Sequence, residues 1–289
     1  MSALPHVIIV GPGRAGTALG YALVQTDAVE ALTVCGRRPE PPSHPLFTQG
    51  LASYVFGLAR PSMETAAVLL AVPDHVVPEM AHALAGQGPP PHGCAAFHLS
   101  GALATDVMAP LHARGYEVGS FHPLQAIAHP VTSAERLPGS YVAVTGTPGA
   151  VAVARRMAAA MGSPVLTVPE ARRPSYHAAA VMASNFLPPL LDVACRLLEQ
   201  ASVPADDALP ALLTLVRGTL ANIEEVGLDS AVTGPVARGD AETVALHLRA
   251  LDPGDRRLYA LLAQHLVRLA GSRLDEDVRT EILELLENA

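Results

Sequence analysis

Short apolar runs alternate with amphipathic stretches over the first 168 residues, and long segments of helical period take over afterwards. Val7-Ile8-Ile9-Val10 reads as a buried strand, and so do 32–35, 67–72, 95–99, 117–121, 141–145 and 165–168. Helical periodicity occupies 15–24, 76–84 and 150–161, and strands alternating with helices predict a mostly parallel sheet covered on both faces. The proline-rich stretches 39–45 and 88–91 read as surface loops. Beyond Pro169 a helix is expected from Pro174 to about residue 200, bent or broken where Pro188 and Pro189 lack backbone donors. Further helices are expected at 206–226, 241–251, 253–270 and 276–287, with Asp240, Asp252 and Asp275 placed as N-caps. The pattern predicts two domains: α/β over 1–168, with a doubly wound, mostly parallel sheet, then an all-α domain over 169–289.

The first strand runs into Gly11-Pro12-Gly13-Arg14-Ala15-Gly16 and then a small-residue helix, the setting of a dinucleotide fingerprint. Gly11 suits the tight turn, Gly13 leaves room for a pyrophosphate, and Gly16 lets helix and strand pack closely. Free N–H groups at the helix start, backed by the helix dipole, favour an anionic phosphate. The other reading is a glycine-rich structural turn.

Composition narrows the chemistry. All nineteen cations are arginine and none is lysine, so no lysine acid, base or Schiff base operates in this chain. A formal charge of −8 with scattered basic residues argues against a nucleic-acid partner. Cys35, Cys94 and Cys195 lie far apart, with no metal-type spacing, and read as thiols in a reducing compartment. With no signal-peptide pattern and no uninterrupted apolar run of membrane-spanning length, a soluble cytoplasmic protein with no membrane partner is expected.

Ligands of open parallel sheets bind beyond the carboxyl ends of the strands, so the residues following each strand belong together. After the second strand comes Gly36-Arg37-Arg38, with no carboxylate where an enzyme using NAD grips the ribose. Two arginines there suit the 2′-phosphate of NADP, the alternative being solvated loop cations. Val72-Pro73 forms a candidate wall beside a nicotinamide, and Asp74 is expected to cap the following helix. The next strands end in His98-Leu99-Ser100 and Phe121-His122-Pro123, which point two histidines and a serine toward one crevice. His122 is the candidate proton donor, its ordinary pKa near 6.5 suiting proton exchange. His98 is read as held by backbone and Ser100 as bonding substrate or the nicotinamide amide. For either histidine a structural role is the competing reading.

At the domain junction His177, Val181, Ser184 and Asn185 share one side of a 3.6-residue helix, with His177 and Asn185 about 12 Å apart along it. They are candidates for contacts to opposite ends of a small-molecule substrate; a packed helix is the alternative. Thr233-Gly234-Pro235-Val236-Ala237-Arg238-Gly239-Asp240 offers Arg238 as a carboxylate anchor, or else a turn in which Asp240 caps and Arg238 packs.

Taken together, GPGRAG, AVPD, HLSG, FHPLQ, YHAAAVMASN and TGPVARGD, with the later His247, resemble a bacterial family of Rossmann-like proteins carrying an uncharacterised helical C-terminal domain, near the 6-phosphogluconate dehydrogenase-like group. The resemblance spans nearly the whole chain. It implies an NADP-binding domain, a helical domain that closes the site and commonly builds a homodimer, and oxidoreductase activity on a small oxo acid. Because family genes often accompany pantothenate-synthesis genes, 2-dehydropantoate is the most concrete substrate it offers. Related β-hydroxyacid and ketopantoate enzymes place a catalytic lysine near an asparagine; here Asn185 remains, but Val181 and Met182 stand where that lysine would fall. His122-Pro123 is instead similar to the His-Pro segment of prephenate dehydrogenases, and a pyrroline-carboxylate reductase-like enzyme is a further alternative. Two other classes compete: an NADP-binding sensor without turnover, and a metal site on His98, His122 and His177.

Overall fold

Alternate residues of the Val7–Val10 run enter different cores, which is why the run is apolar without alternation. Val7 and Ile9 pack with Leu19 and Leu23 on one side, and Ile8 and Val10 pack with Leu84 and Met108 on the other. The computed structural model, which describes residues 3–289, builds eight strands: β1 (Leu4–Val10), β2 (Val29–Gly36), β3 (Ser53–Phe56), β4 (Thr65–Leu70), β5 (Ala95–His98), β6 (Glu117–Pro123), β7 (Val142–Gly146) and β8 (Val165–Thr167). Their order is β3-β2-β1-β4-β5-β6-β7-β8, all neighbours being parallel except β6 and β7. The first six thus follow the doubly wound order, with the reversal of chain direction across the sheet between β1 and β4.

Every strand expected from the sequence is present, and β3 is an addition. It is a four-residue edge strand with only half-buried side chains, too short to stand out as an apolar run. Short helices at Pro45–Thr48, Ala109–His112 and Pro130–Ala134 are also additions. The three longer helices of this part are Arg14–Gln25, Val77–Ala85 and Pro148–Ala160.

The chain forms two compact units, Met1–Asn185 and Phe186–Ala289. After β8 comes the helix Arg173–Ala180, then a π-helical turn, Val181–Asn185, and then the helix Leu187–Gln200. The expected break at Pro188-Pro189 therefore needs correction. Both prolines sit in the first turn of a new helix, where a missing N–H costs nothing, and the irregularity precedes them. The run Glu170–Gln200 is long and apolar enough on average to cross a membrane, but Ser184, Asn185 and Asp192 interrupt it, so it is no uninterrupted apolar run.

The second unit continues with helices Ala205–Ala231, kinked at Gly227, then Gly234–Arg238, Ala241–Ala250, Pro253–Ala270 and Glu276–Glu287. Its core gathers Val236, Val244, Leu248, Val267 and Ile282. Asp240 accepts from the Thr243 N–H at 3.0 Å, and Asp252 accepts from those of Gly254 and Asp255 at 2.9 and 3.0 Å, so both cap as expected. Asp275 stands at the cap position without a side-chain bond to the helix, which corrects its expected role.

Candidate functional site

The glycine turn joins the carboxyl end of β1 to the helix Arg14–Gln25. Gly11 has φ +110°, and a Cβ there would collide with the Ala71 carbonyl oxygen. A Cβ on Gly16 would collide with the Gly11 carbonyl oxygen. Both glycines are thus required by the fold itself. Gly13 differs: nothing in the protein lies within 4 Å of where its Cβ would be, and it caps the helix without a side chain. The bare helix start and the open space above Gly13 fit a phosphate, which makes the turn a suitable cradle for a dinucleotide.

Around this turn stand the other candidate cofactor contacts. Pro12 and Tyr54 flank Gly36, where a Cβ would meet Pro12 Cγ at 2.9 Å. Arg37 and Arg38 follow β2 directly, are exposed, and make no ion pair among the described residues; the Tyr54 hydroxyl donates to the Arg38 carbonyl at 2.7 Å. Val72 and Pro73 follow β4, and Val72 Cγ1 would lie 3.1 Å from a Cβ on Gly11. Ala15 and His122 line one cavity of about 140 Å³, together with Leu19, Leu99, Pro123 and Gln125.

The polar centre of the first unit gathers at the ends of β5, β6 and β7. Ser120 and His122 point the same way from β6, and because β7 is antiparallel, Thr145 stands directly across from Ser120. Into that corner reaches Arg173 from the start of its helix. Its side chain is 1% exposed, with Nη1 donating to Ser120 Oγ at 2.6 Å and Thr145 Oγ1 at 3.2 Å and Nη2 donating to the Ser100 carbonyl. No carboxylate pairs with it among the described residues.

His122 Nδ1 lies 2.7 Å from the Tyr176 hydroxyl, the rings meeting edge-on, and the His177 ring is 6.2 Å away. The two imidazoles close on Gly101, where a Cβ would come within 2.6 Å of His177 Nδ1 and 3.0 Å of His122 Nε2. Burial, with His177 and Arg173 adding positive charge, lowers the His122 pKa to about 4. Burial first and Arg173 second do the same for His98, which is fully buried with no partner on either ring nitrogen among the described residues. Burial also raises the Tyr176 pKa, so its phenol is protonated at rest.

Two expectations change here. With its pKa lowered, His122 is not a standing imidazolium near neutral pH. The Ala104 backbone favours a proton on His98, in the direction of the expected backbone hold. Ser100 is fully engaged: its hydroxyl donates to Asp74 Oδ2 at 2.7 Å and accepts from the Ala102 and Leu103 N–H groups at 3.1 and 3.0 Å, leaving nothing for a ligand. Asp74 correspondingly makes no helix cap.

Ser184 and Asn185 lie in the π-helical turn, exposed and without side-chain hydrogen bonds among the described residues. The winding there is wider than the 3.6 residues per turn on which a shared side with His177 was expected, and such turns recur at functional sites. Arg238, in the second unit, ends a five-residue helix with an exposed, unpaired side chain. His247 Nδ1 meets the Tyr259 hydroxyl at 3.0 Å. Among the described residues no three His, Cys, Asp or Glu side chains are grouped to hold a metal ion, so the three-histidine alternative lacks geometric support. Sequence reading passed over Arg173 and Tyr176. Their only signal was adjacency to Pro174 and His177, since nothing in periodicity marks a buried arginine.

Residues 2–123 match the model of a Rossmann-like domain, and residues 140–266 match DUF2520, a domain of unknown function. No curated protein matches the chain. Among solved structures, BF3122 from Bacteroides fragilis, described provisionally as an NADP oxidoreductase, is 22% identical with a TM-score of 0.70, covering 91% of this chain and 97% of its own. TM1727 from Thermotoga maritima is 20% identical with a TM-score of 0.63, covering 98% of each chain. Pyrroline carboxylate reductase from Plasmodium falciparum, solved with NADP bound, is 11% identical with a TM-score of 0.60 over 99% of each. At such identities the likeness speaks for the fold, which is one shared with NADP-dependent oxidoreductases.

Proposed function

Because the chain joins a Rossmann-like domain to a DUF2520 domain, we propose that it is an NADP-dependent oxidoreductase that reduces the carbonyl of a small oxo acid, with 2-dehydropantoate the first compound to try. The observation that carries this reading is the cavity shared by Ala15, from the glycine turn, and His122, from the polar centre. It supports a reacting group held between a cofactor cradle and a proton-handling side chain.

NADPH, when bound, supplies the hydride. The N–H groups at the start of the Arg14–Gln25 helix hold its pyrophosphate, and Arg37 and Arg38 take the 2′-phosphate. The proton route differs from that of an imidazolium acid. The Tyr176 phenol donates to His122 Nδ1, which leaves the hydrogen of the neutral imidazole on Nε2. As negative charge develops on the substrate oxygen, the Nε2 proton moves to it and the Tyr176 proton moves to Nδ1. The ring therefore stays neutral throughout, and the relay resets when the Nδ1 proton returns to the phenolate oxygen as a proton from water adds to Nε2. Arg238 and Asn185 remain candidates for binding the substrate carboxylate and hydroxyl.

NADPH oxidation by the purified protein, against oxo acids and cyclic imines and with NADH in parallel, tests the proposal. Turnover with preference for NADPH is expected, and His122→Ala should lower it at least a hundredfold while leaving NADPH binding intact. A His122→Ala protein with wild-type rate would overturn the proton route. Cofactor binding without hydride transfer to any compound would favour a sensor, the reading that the absence of lysine supports.

A further inference from the structure

A buried guanidinium without a carboxylate partner is costly, and packing alone could be served by an apolar side chain of similar size. Arg173 nonetheless occupies the corner between β5, β6 and β7, with neutral oxygens as its only partners: the Ser100 carbonyl and the Ser120 and Thr145 hydroxyls. Ser100 follows the strand that carries His98, Ser120 lies on the strand that carries His122, and Thr145 faces Ser120 from β7. Ser120 is the register partner of His98 and lies two residues before His122 on the same face of β6.

We propose that Arg173 is a positioning residue whose unpaired charge, fixed by these bonds, sets the state in which His122 meets the substrate. For its catalytic consequence this rests on the oxidoreductase reading above; its electrostatic content does not. The groups facing His122 are Tyr176, which bonds Nδ1, and His177, Arg173 and Asp74, with His98 on the neighbouring strand also interacting with it through charge. Of these, Arg173 and His177 oppose a proton on the ring, and Asp74 favours one. Asp74 is tied up by the Ser100 hydroxyl, and the Ser100 carbonyl accepts from Arg173, so one residue links the two opposing charges. Burial first and His177 second disfavour a proton on His122, and the fixed charge of Arg173 adds to them in keeping the ring an uncharged partner for the Tyr176 phenol, as the relay requires.

The test is the titration of the His122 ring by NMR in the full-length protein, read without substrate or turnover. In the wild type the midpoint should lie near 4. Arg173→Met, which removes the charge and keeps the bulk, should move it measurably upward, though not to the ordinary value, because burial and His177 still lower it. Arg173→Lys, which keeps the charge, should leave it near the wild-type position. Thr145→Val, which removes one anchor and keeps the charge, should do likewise. Should Arg173→Met not fold, Arg173→Gln retains donors to the same oxygens and carries the same expectation. An unmoved midpoint in the charge-free variant, or an equal shift in Arg173→Lys, would overturn the proposal. Where turnover is found, the acid limb of kcat should move with the midpoint. If no substrate is found, the oxidoreductase reading fails while the titration still decides the role of Arg173.

Discussion

His98 shows what one buried side chain costs. It is fully buried at the end of β5, and its pKa of about 4 lies well below the value near 6.5 of an exposed histidine. Above about pH 6.5 the ring is neutral in both the folded and the unfolded chain, so it contributes no pH dependence there. Between 6.5 and 4 only the unfolded chain takes up the proton, and stability falls as pH falls through that window, by about 3 kcal/mol in full. His122 acts with the same sign. Urea unfolding at pH 7 and pH 5 should therefore show a loss in the wild type. His98→Gln, which cannot titrate, should shrink that loss by about 2 kcal/mol. An equal loss in the variant would place the acid sensitivity elsewhere.

At the scale of elements, the loop after β5 matters more than its length suggests. Gly101 has no Cβ, and both imidazoles use the space, so Gly101→Ala must push His177 Nδ1 and His122 Nε2 aside. Crowding of this kind costs about 1–3 kcal/mol of stability. Its sharper effect should be a loss of turnover of tenfold or more with NADPH affinity unchanged, because the glycine turn is on another strand. Steady-state kinetics beside cofactor titration would check this, and a variant with normal kcat would show that the imidazoles need not sit where they do. This loop also marks the limit of what could be read from the chain. Strands such as Val7–Val10 announce themselves because burial on both faces demands an apolar run, and the glycine turn does so because Gly11 and Gly16 meet backbone oxygens. The ends of β5 and β6 were legible as places where His98 and His122 gather. What those residues bond was not: Arg173 lies 53 positions from Ser120 and 73 from Ser100, and only the antiparallel turn of β7 brings Thr145 into the same corner. Local pattern carries no record of such long-range bonds, nor of burial strong enough to move a histidine's pKa.

For the molecule as a whole, the unsolved question is what covers the helix Ala205–Ala231. At about 1.5 Å per residue its stretch 205–226, ahead of the Gly227 kink, is about 33 Å long. Ala208 is its one buried residue, while Leu215, Leu220 and Leu228 are 67%, 54% and 62% exposed. The helices from Gly234 onward share a core of their own, to which these leucines are surplus. Soluble monomers rarely leave such a surface to water, and a second copy of the same chain is the partner that is always present at matching concentration. We propose that it covers the helix in a symmetric pair that encloses both sides of it, since Leu215 and Leu220 lie about 140° apart around the axis. Light scattering should then give twice the 30.0 kDa chain mass. Leu215→Glu with Leu220→Glu should return it to a single chain, since a charge placed in a buried interface cannot be solvated. NADPH binding should survive in that variant, because the glycine turn and its arginines belong to the other unit. A monodisperse monomer in the wild type, or pelleting of the protein with lipid vesicles, would mean that something other than a second copy covers the face.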